Sequence, residues 1–135
     1  MHIIVCLDQK NGMMFLGKRQ SKDRVLRAHM LQMSCGASLR MNAYSAGQFE
    51  ETSFNIRIMD DFLERAQKGD YCFVENMDVL QWEERIEDII VYRWNRIYPA
   101  SMYFPEKLLS SRNLIQKEIF AGYSHDEITQ EVYAL

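Results

Sequence analysis

The residues best suited to chemistry lie in the first forty positions of the chain, and most of them are cationic. This stretch holds seven lysines and arginines against two acids, Asp8 and Asp23, which is a net charge of +5, whereas the remaining residues carry −8. The cations are Lys10, Lys18, Arg19, Lys22, Arg24, Arg27 and Arg40. Such a local surplus is typical either of a solvated helix face or of a patch that binds an anionic ligand or nucleic acid. Charge alone leaves both interpretations open.

The histidines and cysteines argue against a metal or redox centre. The three histidines, His2, His29 and His125, lie far apart without ligand spacing, which disfavours a metallo-β-lactamase-type nuclease. We interpret His29 as a partly buried residue of an amphipathic helix and His125 as a surface turn residue. The three cysteines, Cys6, Cys35 and Cys72, form no CxxC motif, so free thiols are predicted, with Cys6 and Cys72 buried in strands.

The elements that must position these residues alternate between strands and helices. Apolar runs predict buried strands at residues 3–7, 38–41, 71–74 and 89–93, and the alternation of Phe54, Ile56 and Ile58 predicts one more. Helices are predicted from an N-cap at Ser21 towards Gly36, after a capping box at Ser45, and over residues 60–67 and 78–85. Residues 114–120 and 127–133 are predicted to form an antiparallel hairpin. One α/β domain over residues 1–135 follows.

Length and composition fit a chain with a substantial core. The 135 residues are 47% hydrophobic, yet no apolar run approaches the roughly 18 residues of a membrane span. The first residues also lack the basic-then-apolar pattern of a signal peptide. We therefore expect no membrane association and a cytoplasmic location.

Two stretches of the chain carry a family resemblance. The first joins the strand at 3–7 and Asp8 to the loop 11–14, a helix with Asp23, and the segment 39–45. The second runs from the strand at 89–93 to Tyr103-Phe104-Pro105. In order and spacing, both resemble dihydrofolate reductase. The resemblance implies a three-layer dihydrofolate reductase-like fold, with a mostly parallel central sheet and a C-terminal antiparallel hairpin.

The resemblance also implies a site beside the first helix. In the family, one carboxylate on that helix binds the pterin ring and supports its protonation, and Asp23 takes this position if one residue is deleted from the preceding loop. The alternative is that Asp23 interacts only with the helix dipole. Lys18 and Arg27 stand where the family has aromatic residues, and Tyr92 stands where it usually has a threonine. Charged side chains thus replace the aromatic rings on which a pterin would stack, and this favours an anionic or zwitterionic ligand over a pterin.

The cofactor side of the resemblance is the most altered. The family wraps the dinucleotide pyrophosphate with a pair of glycines after a late strand, since only glycine lets the backbone approach so closely. Here that place holds Glu75, Asn76 and Met77, and a glutamate there is expected to repel phosphates. In the family, the turn after the second strand meets the cofactor through a glycine and an arginine. The corresponding residues here, 42–45, contain neither. The segment between Phe49 and Phe54 is also too short for the loop that recognises the adenosine side.

These observations lead to a functional expectation. We expect a small-ligand-binding or regulatory protein without bound cofactor, its site in the cleft between the first helix and the carboxyl ends of the strands at 3–7 and 89–93. The expected lining is Leu7, Asp23, Arg27 and Tyr92, with Lys18 at the mouth. An oxidoreductase that uses NADPH through an atypical site is the alternative. A nucleic-acid binder is a weaker one, because the net charge is −3 and few aromatics interleave the cations. A missing edge strand would be compensated by a homodimer.

Overall fold

A computed structural model describes residues 1–50 and 55–135 of the chain. Within these residues, strands and short helices follow one another in the order that the sequence predicts, with several additions. They are β1 (His2–Leu7), β2 (Gly12–Phe15), β3 (Lys18–Arg19), α1 (Arg24–Met33), β4 (Leu39–Met41), α2 (Ala43–Ala46), β5 (Ile56–Ile58), α3 (Phe62–Arg65), β6 (Tyr71–Phe73), a 3-10 helix (Leu80–Arg85), β7 (Asp88–Arg93), β8 (Met102–Tyr103), α4 (Glu106–Ser110), β9 (Asn113–Phe120) and β10 (Ile128–Ala134).

A mostly parallel sheet forms the centre of the molecule. Its strand order is β5-β4-β6-β1-β7-β10-β9. The strands from β5 to β7 pair in parallel, whereas β10 pairs antiparallel with both β7 and β9. The predicted mostly parallel sheet with a terminal antiparallel hairpin is therefore confirmed. Because parallel strands end at the same edge, the loops after β1, β4, β6 and β7 meet on one side of the molecule.

The side chains of β1 divide the core into two layers. Ile3, Val5 and Leu7 belong to an apolar cluster that also contains buried residues of α3 and α4. Ile4 belongs to a second cluster, in which buried residues of α1 pack on the opposite face of the sheet. This alternation is the ordinary period of a strand, and it gives a three-layer arrangement with helices on both faces.

A small second sheet covers the loop side and was not predicted. Its order is β3-β2-β8. β2 and β3 are joined by Leu16 and Gly17, whose φ values of 48° and 79° are both in the left-handed region. Two positive φ values in a two-residue hairpin loop match the right-handed twist of the flanking strands. This hairpin brings Arg19 back towards the end of β6.

Several predicted boundaries are wrong. The N-cap of α1 is Asp23 instead of Ser21, and the helix at 43–46 is capped by Asn42 instead of following Ser45. The helix predicted over 60–67 has four residues, and residues 80–85 form a 3-10 helix. The strand predicted from Phe54 is present as Ile56–Ile58, while Phe54 itself lies outside the described residues. No helix in the described ranges is both long and apolar enough to cross a membrane.

Candidate functional site

Asp23 lies at the start of α1 with its carboxylate fully enclosed. The side chain has 0% exposure and accepts hydrogen bonds from the backbone N–H groups of Val25 and Leu26 at 2.9 and 3.2 Å. From the turn between β9 and β10 it accepts the N–H groups of Tyr123 and Ser124 at 2.9 and 2.8 Å. Asp23 thus caps the helix and fastens a turn about one hundred residues away.

These hydrogen bonds determine the charge state of Asp23. Burial by itself would raise the pKa of the carboxyl group. The hydrogen bonds from His125 and from the N–H groups of Tyr123, Ser124 and Leu26 outweigh burial and hold the pKa well below its usual range. Asp23 is therefore ionised at neutral pH, and its oxygens are occupied by protein donors instead of facing an open cleft.

His125 differs most from its predicted position. It was predicted to be a surface turn residue, but its side chain is only 5% exposed. Nδ1 lies 3.0 Å from Oδ2 of Asp23, and Nε2 lies 2.9 Å from Oγ of Ser21. The ring stacks on Trp94 with centroids 4.6 Å apart. The neighbouring Asp126 and the polar turn suggested exposure, and no local signal pointed to a partner 102 positions earlier.

Leu7, Arg27, Tyr92 and Lys18 are not brought into one cleft. Tyr92 is 0% exposed on the α1 face, where its hydroxyl contacts Nδ1 of His29 at 2.7 Å and accepts from the Gln130 amide at 3.3 Å. Burial raises the pKa of Tyr92 far above its usual range. Leu7 packs into the cluster on the opposite face, so Cys6, whose register partner is Tyr92, faces α1 instead.

The two predicted cations differ in their exposure. Arg27 is 5% exposed on α1, whereas Lys18 is exposed on β3. His29 is half-buried, as predicted, and its ring stacks on Phe120 with centroids 4.6 Å apart. Of the expected lining, Asp23, Arg27 and Tyr92 are thus buried residues on the α1 side, and only Lys18 is freely reached by solvent.

The carboxyl end of β6 is closed by an ion pair. Glu75, whose side chain is 7% exposed, accepts two hydrogen bonds from the guanidinium of Arg19, at 3.0 and 3.1 Å. The same guanidinium lies 4.4 Å from the ring centre of Tyr44 and donates to the Tyr44 carbonyl oxygen at 3.1 Å. The hydroxyl of Tyr44 in turn accepts the backbone N–H of Arg19 at 2.9 Å. We call Arg19, Tyr44 and Glu75 the arginine lock.

A second buried carboxylate, Asp8, follows β1. It is 1% exposed and accepts the backbone N–H groups of Lys10 and Gly12 at 2.7 and 2.9 Å, and the side-chain amide of Gln20 at 3.0 Å. Burial opposes ionisation of Asp8, but the hydrogen bonds, led by those from Gly12 and Lys10, lower its pKa. Asp8 therefore braces the loops around the strand ends.

A groove lies away from the predicted site. A groove of about 360 Å³ lies at the amino ends of β6 and β7, the opposite end from the expected site, and its lining includes His29, Tyr71, Asp88 and Gln130. Its carboxylates are paired, since Asp88 contacts His2 at 2.7 Å and Glu118 contacts His29 at 3.2 Å. In the part of the chain that the structure describes, no group of three metal-ligating side chains is present. All three cysteines are free, as predicted, although Cys6 is only half-buried.

Comparison with known proteins identifies the fold. No family model matches the chain, and no curated protein matches it by sequence. The structure is similar to that of a dihydrofolate reductase from Enterococcus faecalis complexed with NADP(H) and RAB-propyl, with a TM-score of 0.67 and 10% sequence identity. The match covers 98% of this chain and 94% of that chain. The chain therefore has a dihydrofolate reductase-like fold, and at this identity only the fold is shared.

Proposed function

We propose that this chain is a small-ligand-binding or regulatory protein that does not transfer hydride from NADPH. The observation that carries the proposal is the arginine lock. Glu75 lies two residues after the end of β6, where the resemblance puts the glycines that approach a pyrophosphate. In this chain, the same place holds a buried carboxylate bound by two hydrogen bonds to Arg19.

The arginine lock opposes a dinucleotide in two ways. A phosphate at this place would have to displace the Glu75 side chain, because a glycine-like approach of the backbone needs the volume that this side chain fills. If Arg19 turned towards the phosphate instead, Glu75 would remain buried, unpaired and of the same sign as the ligand. Losing the glycine cradle that approaches the pyrophosphate should cost several kcal/mol, on the order of a thousandfold in affinity.

The environment of Asp23 supports the same proposal. A carboxylate that protonates a bound ring needs an open lone pair and a pKa raised towards neutrality. Asp23 has 0% side-chain exposure, its oxygens accept from the helix, the turn and His125, and its pKa is lowered. These contacts favour the interpretation of Asp23 as a structural or positioning group.

A titration with NADPH tests the absence of hydride transfer. We expect no shift in the thermal midpoint at micromolar NADPH, and no loss of NADPH absorbance when dihydrofolate is added. A known dihydrofolate reductase in the same plate serves as the positive control. A midpoint increase of several degrees at micromolar NADPH would contradict the proposal and favour the oxidoreductase alternative, which the shared fold supports.

The proposed ligand is an anionic or zwitterionic small molecule that interacts with the cationic side of the helix start. Its support is the +5 charge of the first forty residues, with Lys18, Lys22 and Arg24 exposed. Inorganic phosphate and L-glutamate are suitable first probes in a thermal-shift screen. For a probe that binds, Arg27→Ala should weaken binding by about 1.5–3 kcal/mol if the guanidinium makes a charged hydrogen bond. Lys22→Ala, at an exposed position, is the control, and equal losses in both variants would indicate unspecific charge attraction.

A cytoplasmic location and a homodimer complete the proposal. Three free thiols support a reducing compartment. The sheet ends at β9, where Leu114, Ile115 and Ile119 are exposed, and an exposed edge strand can pair with a second copy. The mass in solution, measured by light scattering at micromolar concentration, decides between a dimer and a monomer.

A further inference from the structure

Three side chains at the start of α1 form a continuous hydrogen-bonded relay. Oγ of Ser21 lies 2.9 Å from Nε2 of His125, and Nδ1 of His125 lies 3.0 Å from Oδ2 of Asp23. They come from the loop before α1, the turn between β9 and β10, and the N-cap of α1. We propose that Ser21 is a nucleophile for acyl transfer from small carboxylic esters, with His125 as its general base and Asp23 as a positioning residue.

The direction of each hydrogen bond follows from the chemistry of the groups. An ionised carboxylate only accepts, so the proton between Asp23 and His125 belongs to Nδ1 of the imidazole. A neutral imidazole protonated at Nδ1 has its lone pair on Nε2, which is the atom that faces the Ser21 hydroxyl. Ser21 therefore donates to His125, and this arrangement matches the roles of nucleophile, base and orienting carboxylate in serine hydrolases.

Packing holds the base in place, and the residue that carries the nucleophile is partly exposed. The imidazole stacks on Trp94, and the His125 side chain is only 5% exposed. Ser21, in contrast, is half-buried. Besides Ser21, Nε2 has the hydroxyl of Tyr98 at the longer distance of 3.4 Å. A fixed, dry base beside a reachable hydroxyl is the condition for proton removal during attack.

The reaction balances with water as the only co-reactant. Ser21 Oγ attacks the ester carbonyl carbon while its proton passes to Nε2 of His125, and the carbonyl electron pair moves to the oxygen. Collapse of this intermediate breaks the bond to the alkoxide, which leaves with the proton from Nε2. Water then attacks the acyl-Ser21 ester with the same proton transfers and releases the carboxylic acid and free Ser21. Nothing is oxidised or reduced.

Backbone donors for the developing oxyanion are available next to Ser21. Among the described residues, no acceptor contacts the backbone N–H groups of Lys22 and Arg24, whereas those of Val25 and Leu26 bind Asp23. The Arg24 N–H belongs to the first turn of α1, where unpaired N–H groups favour negative charge, and the Lys22 N–H lies just before the N-cap. This activity is independent of the proposed ligand-binding function, because it uses neither the arginine lock nor a dinucleotide.

Labelling with a fluorophosphonate probe tests the proposal on the full chain. We expect covalent labelling of the folded protein at Ser21, identified by peptide mass spectrometry, and slow hydrolysis of p-nitrophenyl acetate. Ser21→Ala should lose both. Ser110→Ala is the matched control, because Ser110 is an exposed serine at the end of α4 whose hydroxyl contacts the carbonyl oxygen of Lys107 at 3.4 Å. Ser110→Ala should retain both signals.

Two further measurements separate catalysis from a structural hydrogen-bond network. Labelling of the natural chain should slow as the pH is lowered, since a protonated imidazole cannot accept the serine proton. Asp23→Asn should reduce the labelling rate by about 100-fold and change its pH profile. Asp8→Asn, which alters the other buried carboxylate, should do neither. The proposal is overturned if folded protein is labelled no faster than Ser21→Ala, or if the label lies on another serine.

Discussion

Asp8 and Asp23 are two buried carboxylates with the same construction and different surroundings. Each is nearly inaccessible, each accepts several backbone N–H groups, and each has a glycine pressed against Oδ2. A Cβ atom on Gly12 would lie 2.6 Å from Oδ2 of Asp8, and one on Gly122 would lie 2.8 Å from Oδ2 of Asp23. Only Asp23 also contacts an imidazole that leads to a hydroxyl. Variants of Asp8 therefore show how much of the effect of an Asp23 substitution comes from its structural hydrogen bonds alone.

Removing either carboxylate gives the largest expected effect. Asp23→Ala should lower the free energy of unfolding by about 3–4 kcal/mol, because it removes a helix cap and leaves the N–H groups of Tyr123 and Ser124 without their acceptor. Asp8→Ala should lower it by about 2–3 kcal/mol, since fewer donors lose their partner. Urea denaturation measures both, with the exposed Asp126→Ala as control. Equal, small losses below about 0.5 kcal/mol would show that water replaces these contacts.

Acid should affect the two carboxylates in the same direction and to different extents. Both pKa values are lower in the folded than in the unfolded chain, so each group stabilises the fold above its unfolded pKa of about 3.9. This stability is lost as the pH falls through the lower folded pKa. We expect the contribution of these two carboxylates to be constant from about pH 7 to 5 and to decrease below about pH 4. Asp23→Asn should flatten this decrease more than Asp8→Asn.

Glu87 is a third acid with a lowered pKa, and it contributes to the same pH range. Its carboxylate lies 2.8 Å from the N-terminal amino group, which lowers its pKa to about 2. Glu87→Gln therefore serves as the background in which the Asp8 and Asp23 variants are compared. If Asp23→Asn in this background leaves the loss of stability below about pH 4 unchanged, Asp23 does not cause that loss, which would contradict the prediction.

Substitutions in the arginine lock should have the smallest effect on the free energy of unfolding, and they extend the comparison of the buried carboxylates to Glu75. Glu75 is held by a side-chain charge, whereas Asp8 and Asp23 are held chiefly by backbone dipoles. A double-mutant cycle with Arg19→Met and Glu75→Gln should give a coupling energy of about 1 kcal/mol. Because Arg19 is partly exposed, the coupling should decrease between low and high salt. Arg19→Met combined with Asp23→Asn is the control pair, and a similar coupling there would show a general loss of structure.

The sequence predicted the central sheet because its strands are buried runs. The strands β1, β4, β6 and β7 each contain apolar residues bounded by polar ones, and they were placed within one or two residues. Because these strands are buried on both sides, the sequence did not show which side chains face which layer of helices. A strand buried on both sides shows no period of two, so Leu7 was assigned to the α1 side that Cys6 occupies. The small sheet was missed because β3 and β8 have only two residues each and carry no periodic signal.

The site could be predicted only where local sequence determined it. The altered residues at 75–77 were visible in the sequence, but Glu75 pairs with Arg19, which lies 56 positions earlier and is brought there by the β2–β3 hairpin. His125 was misplaced for the same reason. Whether a polar side chain in a turn is exposed or buried depends on what the fold brings against it, and here that is the N-terminus of α1 and Trp94.

The contacts of Asp23 also determine when that part of the molecule becomes ordered during folding. The turn it binds lies about one hundred positions away along the chain, so the entropy of closing this loop must be overcome before the hydrogen bonds to the turn are gained. We expect these turn contacts to form after the transition state, whereas the cap of α1 is local. Loss of the turn contacts should therefore act mainly by accelerating unfolding. The buried carboxylate would act mainly by prolonging the lifetime of the native state.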